Sequence, residues 1–287
     1  MRVARFLRAL RYLAAAVLLA GLANPARAAS PDSPTVGTLF NWYYATSFGT
    51  GLYEFNDTTV TAVNAPVRFT MREPTETEWG WRLTAPVVAA LGNFNLYDPE
   101  FGQFNRIHLA AASVMPGAEL VMPLQPHWRL NGFANIGRAW EFQTGANATI
   151  YRAGLSTHYR FQSLRDPDLE IGAKYTYAGY RANGQYTEPI SVASLGIASS
   201  MPLPWSVSKG RQTRLALHLI GTSYLTEVRF RLPIGYTELY SELESGLSLI
   251  ASPGFDVLGA SFDRIGLSYV MGNNGLRGVR LVTEFPF

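Results

Sequence analysis

The sequence predicts an all-β fold: a transmembrane antiparallel up-and-down β-barrel of about twelve strands. Three observations predict it. Apolar residues recur at period two over segments of ten or more residues, whereas soluble strands turn after about 5–6 and membrane-spanning ones need about 9–11. The chain is 47% hydrophobic and 13% aromatic but only 16% charged, yet beyond its first residues it has no run of 18 apolar residues to make a spanning helix. Finally, the last strand pattern ends on a terminal aromatic residue, Phe287.

The start of the chain has a separate logic. Arg2, Arg5, Arg8 and Arg11 precede an apolar stretch from Tyr12 to Ala23, and Ala26-Arg27-Ala28 follows. Basic start, short apolar run and small-x-small site are the three parts of a secretory signal peptide. Residues 1–28 are therefore read as a leader, and 29–287 as a single barrel domain preceded by a short lead-in at 29–36. The whole chain carries 24 basic and 21 acidic residues. Five of the arginines lie in the leader, so the mature net charge is 19 − 21 = −2. The basic balance belongs to targeting, and nothing in it points to nucleic acid. There is no cysteine, which excludes a disulfide framework, a thiolate nucleophile and zinc–sulfur chemistry.

The alternation can be followed strand by strand. Trp79, Trp81, Leu83, Ala85, Val87, Ala89 and Leu91 face one way, and Gly80, Arg82 and Thr84 the other. Tyr151, Ala153, Leu155, Tyr159 and Phe161 oppose Arg152, Ser156, His158 and Arg160. Leu169, Ile171, Ala173, Tyr175 and Tyr177 oppose Glu170, Lys174 and Thr176. The aromatic ends of these faces suit the girdles of a membrane barrel. Turn signals divide the mature chain into strands near 37–47, 58–71, 78–91, 105–122, 126–142, 147–161, 168–181, 187–202, 211–225, 235–251, 255–271 and 277–287. An even count puts both chain ends in the periplasm. Residues 48–57 and 92–104 then become outer connections, and 123–125 and 252–254 tight inner ones. Three places fit poorly: Met115-Pro116-Gly117 predicts a bulge or kink, while Arg138 on an apolar face and Asp263 break the alternation.

At the chain end, Val279, Leu281, Phe285 and Phe287 share a face, and Arg280, Glu284 and Pro286 the other. With its terminal phenylalanine, this strand resembles the C-terminal signal of outer-membrane barrels that the barrel assembly machinery reads. The resemblance implies Leu281, Phe285 and Phe287 as its signal residues. The partners expected are thus the secretion translocon for the leader, the assembly machinery, and outer-membrane lipid. The stretch Val114 to Phe142, VMPGAELVMPLQPHWRLNGFANIGRAWEF, resembles solitary outer-membrane barrels similar to autotransporter β-domains but without a passenger. That resemblance implies a twelve-stranded barrel and assigns no catalytic residue.

The polar faces predict a mixed-charge lumen. Its cations are Arg68, Arg82, Arg152, Arg160, Lys174, Arg214 and Arg280; its anions are Glu119, Glu141, Glu170, Glu238, Glu242, Glu244 and Glu284. Such a set fills a narrow lumen with ion pairs, in a barrel of structural or passive-transport type. The alternatives are a selective small-solute channel, or a lipid-modifying enzyme using Ser156 and His158. That pair shares a strand face, but in the reverse order to outer-membrane phospholipases and without an acidic partner by motif. His108, His127 and His218 have no metal-ligand spacing, and no phosphate loop or nucleophile elbow is present. No cofactor or metal is expected.

Overall fold

The computed structural model describes residues 49–55, 58–98, 103–142, 145–161, 167–182, 185–186, 189–204, 212–231, 236–257 and 260–287. The leader read at 1–28 and the strand expected at 37–47 lie outside them.

Twelve antiparallel strands close into a barrel. They are β1 (Gly51–Phe55), β2 (Thr58–Ala65, continuing as Arg68–Arg72), β3 (Gly80–Thr84 and Val87–Asp98) and β4 (Gln103–Val114 and Gly117–Gln125). Then follow β5 (Trp128–Glu141), β6 (Asn147–Phe161), β7 (Asp168–Ala182) and β8 (Ile190–Pro202). The last four are β9 (Gln212–Arg231), β10 (Tyr236–Val257), β11 (Ala260–Gly272) and β12 (Arg277–Val282). Each strand pairs with its chain neighbours, and β12 closes on β1 through Arg280↔Gly51 and Val279↔Leu52. Closure leaves no sheet edge, the condition for crossing a membrane with strands.

The registers also give the stagger of the wall. From Glu170, one direction runs through Ala198, His218, Gly246, Ser268, Arg280, Gly51, Ala62, Ala90 and Ala111 to Glu141 on β5. The other direction pairs Glu170 with Arg160, whose N–H donates to the carbonyl of His127. The ladder therefore climbs 141 − 127 = 14 residues per circuit. Stagger of this kind tilts the strands, and twelve of them enclose a wider lumen than eight, which side chains just fill.

Prolines explain why three strands are each interrupted once. Pro66, Pro86 and Pro116 sit at adjoining levels of β2, β3 and β4. The register is unshifted across the gap: Ala65↔Val87 continues as Arg68↔Thr84, and Val87↔Val114 as Thr84↔Gly117. Missing proline donors are bridged by Ala85 N–H to the Val67 carbonyl (2.8 Å), Met115 N–H to Pro86 (3.0 Å) and Ile136 N–H to Pro116 (3.0 Å). Met115-Pro116-Gly117 is thus a kink without an inserted residue.

Several expected boundaries are corrected. Residues 51–55 are strand, not outer loop: Leu52 faces out and Tyr53 is buried in the lumen, so this segment supplies the partner of β12. The long connection expected at 92–104 is mostly a hairpin, because β3 and β4 stay paired as far as Asp98↔Gln103. The turn expected at 123–125 lies at 126–127, where His127 adopts a positive φ of 70°. Ser252-Pro253-Gly254 is no turn but a bulge in β10: pairing jumps from Ile250↔Arg264 to Phe255↔Phe262. A Cβ at Gly254 would press on Asp263, so the bulge accommodates the charge that breaks the alternation of β11.

The outer face is apolar around the circumference, with Leu91, Ile136, Leu155, Leu195, Leu217 and Leu267 exposed. Arg138 does lie on this face, but near the end of β5, where its Nη1 donates to Asn147 Oδ1 (3.3 Å) beside exposed Trp140. That is where an interface places an arginine and an aromatic ring.

The last correction concerns the chain end. The strand stops at Val282. Leu281 N–H bonds to the Thr50 carbonyl (2.7 Å), and among the described residues no backbone pairing to the start of the chain follows it. Thr283–Phe287 turn into the lumen, so Phe285 and Phe287 leave the outward face on which Val279 and Leu281 remain.

Candidate functional site: the lumen

Two regions of different chemistry fill the barrel. Toward the end that carries the turn 273–275, one continuous apolar cluster draws on eleven of the twelve strands. It includes Tyr53, Val60, Ala111, Ile150, Ile190, Tyr224, Leu239, Val270 and, from the turn, Leu276. Every member is at most 9% accessible, so among the described residues this half is a packed apolar core.

Beneath it lies a charged layer. Arg280 on β12 reaches Glu244 on β10 (Nη1–Oε2 2.5 Å), and its Nε donates to the Tyr53 hydroxyl (3.1 Å). His218 on β9 lies 3.4 Å from the same carboxylate, and the Tyr224 hydroxyl donates to Glu242 (2.6 Å). On the neighbouring wall Glu170 is shared. Arg160 donates to it from Nε (2.8 Å) and pairs through Nη2 (2.7 Å), while Arg264 Nη2 and His158 Nε2 stand at 3.5 and 3.6 Å. Arg214 bridges Asp168 (3.1 Å) and Ser200 Oγ (3.2 Å). Arg264 and Glu170 link strands far apart in sequence, and Glu170 and Glu244 each have cationic partners, as burial of charge demands.

The half nearer the chain end is polar and contains a cavity of about 160 Å³. Arg68, Arg82, Arg152, Lys174, Glu119, Asn135 and Ser156 line it, and the tail covers it. Arg82 stands 3.6 Å from Glu119. Asn135 donates to Thr84 Oγ1 (2.7 Å) and the Met115 carbonyl (3.1 Å), and accepts from Arg152 Nε (3.2 Å). Phe133 holds Arg152 and Lys174 over its ring, at 5.7 and 5.3 Å from the centroid.

The tail engages this half at three points. Glu284 makes a two-pronged ion pair with Arg68, in which Nη2 donates to Oε1 at 2.8 Å. Phe285 packs on His158 (5.7 Å between centroids) beneath the guanidinium of Arg264 (5.5 Å). Phe287 lies against Gly172 and Gly196, which pair across β7 and β8; a Cβ on either would overlap the ring. Burial alone would raise the Glu284 carboxyl. The Arg68 hydrogen bonds and charge, with Lys174 and Arg82 behind, outweigh it and hold the group below the usual carboxylate range.

Most lumen candidates read from sequence fall into three groups, and Arg214 and Glu141 stand apart. Arg68, Arg82, Glu119, Arg152, Ser156, Lys174 and Glu284 surround the cavity, and Arg160, Glu170 and His158 form the shared cluster. Glu242 and Arg280 belong to the layer beneath the apolar core; Arg214 stands by Asp168, and Glu141 is buried at the end of β5. The side chains of His108 and Glu238 lie outside the described residues. Ser156 sits 3.5 Å from Asn131 Nδ2, and among the described residues no hydrogen bond joins it to His158, whose Nε2 points at Glu170. No group of three metal-ligating side chains occurs among the described residues. Arg264, Tyr53 and the Gly172–Gly196 pair were not legible as lumen features. Arg264 stands beside the alternation break at Asp263, and a glycine carries no polar signal.

The fold defines a transmembrane β-barrel of twelve antiparallel strands. No family model and no curated protein matches the chain. Among solved structures it is similar to the β domain of the Bordetella autotransporter Brka, at 12% identity and a TM-score of 0.45, covering 80% of this chain and 91% of that one. It is also similar to the transport unit of the autotransporter AIDA-I from Escherichia coli, at 12% identity and a TM-score of 0.48, covering 88% and 99%.

Proposed function

We propose that this is an outer-membrane barrel of structural type, closed to solutes as it stands. The observation that carries the reading is the apolar cluster drawn from eleven strands. A conduit needs a continuous wet path, and a core at this accessibility leaves none. The apolar belt fits outer-membrane lipid, and the leader fits export through the secretion translocon. With both chain ends in the periplasm, the polar half and its tail face the periplasm and the apolar half faces outside. Terminal Phe287 remains a candidate for recognition by the assembly machinery before folding, when the tail is still extended.

Planar-bilayer recording tests the reading. The purified wild-type barrel is expected to show no steady openings in molar salt. Stable openings in every insertion would overturn it and favour the small-solute channel.

A further inference from the structure

The tail sits in a seat that the barrel wall builds without it. Its three anchor points come from β2 (Arg68), β6 and β11 (His158 and Arg264), and β7 and β8 (Gly172 and Gly196). Ladder pairing holds all five strands in place. By contrast, among the described residues the tail makes no backbone–backbone hydrogen bond to the wall; its one such bond is internal, Phe287 N–H to the Phe285 carbonyl (2.9 Å). It is attached by side chains alone.

The glycine pair is the telling part. Glycine inside a strand weakens it and marks a close approach by something else. Here two glycines stand opposite each other on the lumen face, and what approaches is an aromatic ring. The ring notch, the aromatic slot under a guanidinium and the guanidinium fork for a carboxylate together form an ordered set of subsites. Beside them the 160 Å³ cavity remains, lined by Arg152 and Lys174.

We infer that this seat is a peptide-binding site for a polypeptide segment carrying a carboxylate followed by aromatic rings one and three residues later, and that the chain's own Glu284, Phe285 and Phe287 occupy it as a displaceable lid. The partner is a periplasmic protein segment of the pattern Glu-Phe-x-Phe, which exchanges with the tail. Access from the periplasm rests on the orientation proposed above.

The probe is the synthetic pentapeptide Thr-Glu-Phe-Pro-Phe, titrated calorimetrically into the full-length barrel in detergent. In the variant Glu284→Arg/Phe287→Ala the tail loses two anchors while every subsite stays intact. That variant is expected to bind the peptide one-to-one, about tenfold or more tighter than the wild type, whose seat is occupied. Replacing the peptide's Glu by Gln, or adding Arg68→Gln to the barrel, should weaken binding by about tenfold or more. Adding Gly196→Val should abolish the contribution of the last ring. As a second handle on the otherwise unaltered tail, Pro286→Cys carries a fluorophore at a position exposed in the structure; excess peptide should raise its mobility. Peptide binding by neither the variant nor the labelled chain, or equal binding of the Gln peptide, overturns the inference. Conductance plays no part in this test, so its outcome is separate from that of the closed-barrel reading.

Discussion

Glu284 is the charged one of the tail's three anchors. Its folded-state carboxyl titrates below the ordinary carboxylate value because Arg68, Lys174 and Arg82 favour the ionised form over the cost of burial. The sign follows from linkage: a depressed carboxyl contributes docking stability that is complete above the ordinary value of about 4.3 and is lost as pH falls through the lower folded value. The tail should therefore keep its charged anchor from neutral pH down to about pH 4 and loosen in stronger acid. Anisotropy of the fluorophore on Pro286→Cys should fall over that acid window. With Glu284→Gln added, the acid step should vanish; a step of unchanged size would assign it to another group. Sequence showed Glu284 as a polar-face residue and Arg68 as a lumen cation. It did not show that they meet, because 216 positions separate them and only barrel closure brings their strands together.

At the scale of the strand, period two was legible wherever one face meets lipid and the other the lumen. β5 to β8 consequently lie close to their expected limits. It misled where backbone chemistry departs from the pattern. Ser252-Pro253-Gly254 has the composition of a turn, but its neighbours continue to pair on both sides. The tail keeps its alternation through Phe285 and Phe287 but pairs with no strand among the described residues, so pattern alone put both rings outside. The lipid face makes its own prediction. Leu195 is 68% exposed in the middle of β8, where the bilayer is deepest. Leu195→Arg should cost about 2–4 kcal/mol of stability in lipid vesicles, whereas an arginine near a strand end, as at Arg138, costs about 0–1. Urea titration of the refolded barrel measures this through the shift of its midpoint. A cost for Leu195→Arg no larger than that of Trp140→Arg near the end of β5, or a barrel that stays soluble without detergent or lipid, would remove the lipid assignment altogether.

For the whole molecule, the ladder's stagger and strand number set the problem that the lumen solves. Twelve strands enclose a wider lumen than eight, which wall side chains just fill, and two parts of this chain occupy it. One half is closed by an apolar core of residues that pack across the axis. The other is closed by five residues of the chain's own end, held by one ion pair and two aromatic contacts. On the closed-barrel reading the two closures lie in series, and each alone should block the axis. Unseating the tail with Glu284→Arg/Phe287→Ala should leave the barrel silent in a planar bilayer, since the core still seals it. Tyr53→Ala/Leu239→Ala removes two of the largest buried core side chains and should lower stability by about 2–5 kcal/mol for each truncation, yet still not conduct while the tail is seated. Only the combination of all four changes should show openings. Its current should favour anions: with Glu284 replaced by Arg, the cavity keeps Arg68, Arg82, Arg152 and Lys174 against the single carboxylate of Glu119. Openings from either pair of substitutions alone would mean that the two closures are not independent, and a cation-selective current from the fourfold variant would mean that the path bypasses the cavity.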